Sequence, residues 1–253
     1  MDEATTRDFA SGTGLGIDSR AATCAPPRSR RNISRPALAF AFCAIFFAPS
    51  AAAADDQFAA NARLLVSVRA QDPAGVERAL RDGASVNAHN RLGESALLVA
   101  VKNNQTAIAQ SLLASGADVN GSAVDGVTPL MAAAYAGQTE LTRALLDGGA
   151  NPSAVDRIGK NAITYAAGEG HTDVVRLLLA KGVDPNAVYR NDLTALMWAA
   201  GYGRTETARA LIDAGARVDL VDNRGKSAID MAREFKHADT VDVLESARGS
   251  AAR

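Results

Sequence analysis

Apolar and polar positions along this chain fall into blocks that return every 33 residues. Leu97, Leu130, Ile163, Leu196 and Ile229 share one register. Gly83, Gly116, Gly149, Gly182 and Gly215 share a second, and Gly93, Gly126, Gly159, Asp192 and Gly225 a third, with one glycine replaced. A fixed period of this length is the mark of a repeat architecture. Each block opens on a short polar residue, Ser95, Thr128, Asn161, Thr194 or Ser227, able to accept from the free amides at a helix start. Pro129 follows Thr128, where a proline ring suits the first helical turn. A second apolar burst, as in Val174, Val175, Leu177, Leu178 and Leu179, covers one face of a second helix.

The first glycine series stands where that second helix ends, because the left-handed residue needed there is cheap only for glycine. Polar stretches such as "NAHNRLG" and "SAVDRIG" then predict exposed turns between blocks. A helix pair this short cannot bury its own apolar face, but stacked neighbours bury one another's. Ala100, Ala133, Ala166, Ala199 and Ala232 leave room for helices of adjacent blocks to approach closely. The expected fold is all-α: a solenoid of about six helix-turn-helix units joined by β-hairpin-like turns.

On these residues the chain resembles the ankyrin repeat proteins. "DGVTPLMAAAYAGQTELTRALLDGGANPSA" (125–154) and "GHTDVVRLLLAKGVDPNA" (170–187) follow that family's pattern. Six units are expected: a degenerate first one from about Phe58 to Asn87, four full ones, and a last one from Asp222 to about Arg248. One departure recurs. The histidine of the family's Thr-Pro-Leu-His signature is replaced by Leu98, Met131, Thr164, Met197 and Asp230, so its hydrogen bonds between repeats must be made otherwise or lost.

The amino-terminal stretch reads differently. Arg28, Arg30, Arg31 and Arg35 precede an uncharged run from Pro36 to Ala48, which ends at Pro49 and Ser50 before Ala51 to Ala54. Basic block, short apolar core and small-residue exit make the layout of a secretory signal. The core of 13 residues falls short of the roughly 20 that a spanning helix needs. The expected organisation is therefore a leader over 1–54 cleaved near 54/55, a repeat domain over 55–248 and a short tail over 249–253. Ser29–Ile33 resembles a twin-arginine signal, but a core with four phenylalanines fits the general secretory route better. Cys43 lies mid-core after Phe42, where a lipid-attachment site would need a small residue. The expected location is the periplasm or the medium, for an exported protein of bacterial type without a membrane anchor.

Composition narrows the function. The leader holds six of the 27 basic and four of the 28 acidic residues, so the remaining 199 carry a formal charge of −3. That near-balance offers no footprint for nucleic acid. Both cysteines, Cys24 and Cys43, lie in the leader, so the repeat domain can form neither disulfide nor thiolate metal site. His89, His171 and His237 lack metal-ligand spacing. The glycine pairs at Gly168 and Gly201 sit 33 apart at one repeat position, not between a strand and a helix as a phosphate loop requires. Asp173, Glu140 and Glu206 recur at matching helix positions and read as solvated faces. No catalytic site, cofactor or metal is expected.

The resemblance implies protein binding through hairpin tips and the concave face of the first helices. By repeat position this places Leu92 on the second unit, Val127 and Tyr135 on the third, and Arg157 and Ile158 on the fourth. Arg190, Leu193 and Tyr202 fall on the fifth unit and Arg224 on the sixth. Leu92, Val127, Ile158 and Leu193 are expected to be exposed at turn tips, where a bare scaffold would favour polar residues. Five of the repeat domain's seven aromatics lie between 135 and 202. Tyr135 and Tyr202 are expected at the surface, whereas Tyr165 and Trp198 share a position that usually holds a core leucine and are expected to be core. The function expected is a non-enzymatic, monomeric module that binds a folded protein partner. An inhibitor or immunity-type protein masking an exported enzyme, or a spacer without a specific ligand, are the alternatives.

Overall fold

The computed structural model describes residues 51–251. The leader's basic block 28–35 and apolar core 36–48, with Cys24 and Cys43, lie outside the described residues. Among these residues twelve α-helices form six pairs, each the product of one repeat: α1 (Ala51–Arg69) with α2 (Pro73–Arg81), α3 (Ala96–Lys102) with α4 (Thr106–Ala114), and α5 (Pro129–Tyr135) with α6 (Thr139–Asp147). The chain continues with α7 (Ala162–Glu169) and α8 (Thr172–Ala180), α9 (Ala195–Gly201) and α10 (Thr205–Asp213), then α11 (Ala228–Glu234) and α12 (Ala238–Ala251). First helices pack on first helices of the next pair and second helices on second helices, so two parallel rows share one continuous core.

Local chemistry starts each first helix. The side chains of Ser95, Thr128, Asn161, Thr194 and Ser227 accept from the amides of Leu98, Met131, Thr164, Met197 and Asp230. Helices of seven or eight residues are too short to persist alone, so tertiary packing must hold them. Leu97, Leu130, Ile163, Leu196 and Ile229 are buried, and the five small residues at Ala100, Ala133, Ala166, Ala199 and Ala232 are wholly enclosed. A larger side chain at any of them would push two rows apart.

The turns are hairpin-like in path, but no strand forms among the described residues; the arms meet only in isolated antiparallel bridges, His89 with Ser95 and Val221 with Ser227. Successive tips are tied by backbone. The Val124 amide donates to the Leu92 carbonyl at 3.1 Å, that of Arg157 to Asp125 at 3.0 Å, and that of Asn223 to Asn191 at 3.1 Å. Where the glycine register holds Asp192, the tip tightens into a 3-10 turn over Arg190–Asp192, with left-handed backbone at both Asn191 and Asp192.

The missing signature histidine is replaced from elsewhere in the repeat. Gln105, Gln138, His171, Arg204 and His237, each just before a second helix, reach back to a carbonyl at the end of the preceding unit's first helix. The distances are 2.8 Å to Val68, 2.9 Å to Val101, 2.9 Å to Tyr135, 2.9 Å to Gly168 and 3.2 Å to Gly201. This ladder caps the first helices of the first five units with a side chain from the next unit. On the opposite edge, Asn120 accepts from the Asn151 amide and donates to the Gly149 carbonyl, and Asn186 does the same for Arg217 and Gly215.

Candidate functional site

The expected site residues divide between the tips and the surface of the first-helix row. Leu92 and Ile158 are 63% and 54% exposed, each one position before the glycine of its tip. Arg157, Arg190 and Arg224 are exposed on the tips as well. Val127 and Leu193 are not exposed, contrary to expectation: both are partly buried against the core. They lie one position after the glycine register, not before it, on the arm that returns to the first helix. Their carbonyls accept from the Ala123 and Tyr189 amides at 3.0 Å, and their side chains turn inward beneath the tip.

Tyr135 and Tyr202, at 55% and 53% exposure, stand on the first-helix surface as expected. Tyr165 and Trp198 correct the core assignment. Both are only partly buried, because the wide rings outgrow the space a leucine fills and extend onto the same surface. Tyr135 meets Tyr165 edge-on at 5.8 Å between ring centroids, and Trp198 stacks on Tyr202 at 6.0 Å. Lys160 joins the two pairs, its Nζ 3.8 Å from the Trp198 ring centre and 5.2 Å from that of Tyr165. A cation between two aromatic faces fixes their spacing. Tyr202 and Trp198 lie across α7 over Gly168, where even a Cβ would meet them only at ordinary contact distance, 3.7–3.9 Å.

Beneath the rings, buried polar groups hold the hairpins. Asp156 accepts from the Ile158 and Lys160 amides and, at 2.5 Å, from the Tyr165 hydroxyl. Burial, and then that hydrogen bond, push the Tyr165 hydroxyl well above its ordinary range. Tyr189 is likewise pushed up by burial, while its hydroxyl accepts from Asn161 at 2.8 Å. Asp222 repeats the arrangement of Asp156 with the Arg224 and Lys226 amides and the Arg224 guanidinium. Burial alone would raise its carboxyl, but these donors outweigh burial and hold it below the usual carboxylate range.

Two hollows flank this aromatic stretch. One, of about 430 Å³ between α9 and α11, is lined by Leu193, Trp198, Tyr202, Arg224 and Phe235. The other, of about 440 Å³ between α5 and α7, is lined by Val127, Met131, Tyr135 and Tyr165. The structure thus gathers Leu193, Tyr202 and Arg224 at one hollow and Val127 with Tyr135 at the other, while Leu92 lies apart on the second tip. Sequence reasoning placed Lys160 on the fourth unit's surface but missed its place between the rings, and it missed Phe235 and the two rings thought to be core. Tyr165 and Trp198 at one repeat position in adjacent units were the available signal.

The family model described as ankyrin repeats (3 copies) matches three overlapping stretches, residues 64–156, 100–189 and 163–250. The chain belongs to the ankyrin repeat family. Proteins built from these repeats are general protein–protein interaction modules, and the family is typically non-enzymatic. No curated protein matches the chain. Among the described residues of this ankyrin protein no helix is long and apolar enough to cross a membrane, and no group of three or more His, Cys, Asp or Glu gathers as metal ligands would.

Proposed function

We propose that this ankyrin chain is a non-enzymatic module exported to the periplasm or the medium, where its hairpin tips and concave face bind one folded protein. The observation that supports the reading is the aromatic array of Tyr135, Tyr165, Trp198 and Tyr202 between two apolar hollows. Large rings held in place cost little entropy on binding and are the usual anchors of interfaces. Helices packed about 8–10 Å apart give six units a face on the order of 50 Å long. That suffices for a standard interface of roughly 1,600 Å².

Co-purification from an osmotic-shock extract tests it. One stoichiometric protein partner is expected. Tyr202→Ala and Ile158→Asp should each weaken its binding by about 1–3 kcal/mol, with little change in melting, since both side chains are more than half exposed. Val175→Asp, in contrast, places a carboxylate in a fully enclosed position and should unfold the array. Normal binding by the first two variants, with loss on changing exposed residues of the second-helix row, would move the site to the other face.

A further inference from the structure

The hairpin edge above the aromatic array has a charge of its own. Arg157, Lys160, Arg190, Arg224 and Lys226 occupy three consecutive tips, those of the fourth to sixth units. The same tips carry Asp156, Asp192 and Asp222, but Asp156 and Asp222 are 7% and 4% exposed and turned inward onto amides of their own turns. Lys226 is bound by Glu234 and Lys160 lies over Trp198. Arg224 pairs with Asp222 yet leaves 61% of its side chain in solvent. Arg157 and Arg190 are exposed and make no ion pair among the described residues. The neighbouring tips differ: the second carries Arg91 beside Glu94, and the third only Asp125. A basic edge therefore runs over the units that carry Tyr165, Trp198 and Tyr202, on a chain whose residues from 55 onward sum to −3.

We propose that this face of the fourth to sixth units takes an acidic partner segment bearing apolar or aromatic anchors. Its carboxylates would meet Arg157, Arg190 and Arg224, and an anchor would enter the hollow between α9 and α11 beside Trp198. This rests on the reading of the face as protein-binding and adds the chemistry of the partner. Two observations favour an acidic occupant. On these tips the exposed guanidinium groups of Arg157, Arg190 and Arg224 outnumber the one exposed carboxylate, that of Asp192, and complementary charge steers encounter and rejects wrong partners. The π-face that could hold a cationic ligand already holds Lys160, whose charge repels a second cation.

Trp198 is the chain's only tryptophan, so its fluorescence reports on this hollow alone. Display libraries of random peptides and of small folded domains, selected against the full chain, provide the probes. The expected binders carry clustered Asp and Glu around an aromatic or aliphatic residue, and change Trp198 emission on titration. Arg157→Glu combined with Arg190→Glu, both exposed and unpaired, should weaken them by roughly tenfold or more without altering melting. Raising salt should weaken the parent and spare the variant. Binders without acidic bias, or acidic ones that neither touch Trp198 emission nor respond to the double reversal, overturn the charge assignment while leaving a protein-binding module. Failure of both libraries to return any binder overturns the protein-binding reading with it.

Discussion

At the scale of single residues, the ladder between units shows side chains chosen in pairs across a repeat boundary. Where the rung is His171 or His237, the turn beneath it holds Gly137 or Gly203; a Cβ there would sit 2.5 Å from the imidazole Nδ1. Where the rung is Gln138, the matching turn holds Asn104, in the same left-handed conformation. A flat ring needs the space that a flexible amide can share. Gly137→Ala should therefore destabilise by about 1–3 kcal/mol, from positive φ and from collision with His171. Gly137→Asn with His171→Gln transplants the neighbouring pair and should recover most of the loss, a coupling of about 0.5–3 kcal/mol in denaturant unfolding. Equal losses in the single and double variants would show that backbone strain alone sets the cost. The pairing can be read in the sequence once the units are aligned, but its cause cannot, because the contact is visible only across the stack. The displacement of Val127 and Leu193 has a similar origin. One step across the glycine turns a side chain from solvent to core, and a list of apolar residues near a tip does not record that step.

Among elements, the repeat pattern was legible almost completely. Caps, buried positions and left-handed glycines are set by local rules that recur five times, so each copy supports the others. The rungs were not legible, because Gln, His and Arg share no residue type and only geometry reveals a common acceptor. The same holds for the opposite edge, where Asn120 and Asn186 each bind two backbone groups of the corresponding turn in the next unit. Ser153 occupies this position in the third unit and is too short to span Gly182 and Asp184. Ser153→Asn is expected to stabilise the array by about 0.5–1.5 kcal/mol, as one or two net hydrogen bonds would; an unchanged denaturation midpoint would show that the adjoining turn is held otherwise. Hairpins and caps also set the response to acid. A hydrogen bond from Lys102 lowers Glu94 against partial burial, those from the Ser227 hydroxyl and amide lower Asp230, and Asp222 is lowered despite burial. Each of these carboxyls binds a proton more readily in the unfolded chain, near pH 4. Their stabilisation is complete above that value and is lost as pH falls through the lower folded values. Melting should be flat near neutrality and decline below about pH 5. Asp222→Asn should start lower and decline less steeply; a slope equal to the parent's would remove Asp222 from the account.

Over the whole molecule, each unit touches only its neighbours, so the ends can be trimmed where they bury nothing. That bears on export. Helix α1 begins at Ala51 and runs across the cleavage point expected at 54/55, and from Asp55 onward residues 55–59 are exposed and Ala60 is the first buried position. Leu64 and Val68 follow at spacings of four and make the seam against the rest of the stack. A peptidase cutting after Ala54 would leave that seam whole. Mass spectrometry of the protein released by osmotic shock should find an amino terminus near Asp55. The released protein should melt within about 2 °C of a chain that begins at Ala51, since the loss of one terminal helical turn ahead of the seam that starts at Ala60 should change stability by no more than a few tenths of a kcal/mol. An uncut chain in the membrane fraction would show that the apolar run at 36–48 is kept. A processed chain that melts many degrees lower would show that residues before Asp55 belong to the fold, and the domain boundary would then move toward the amino terminus.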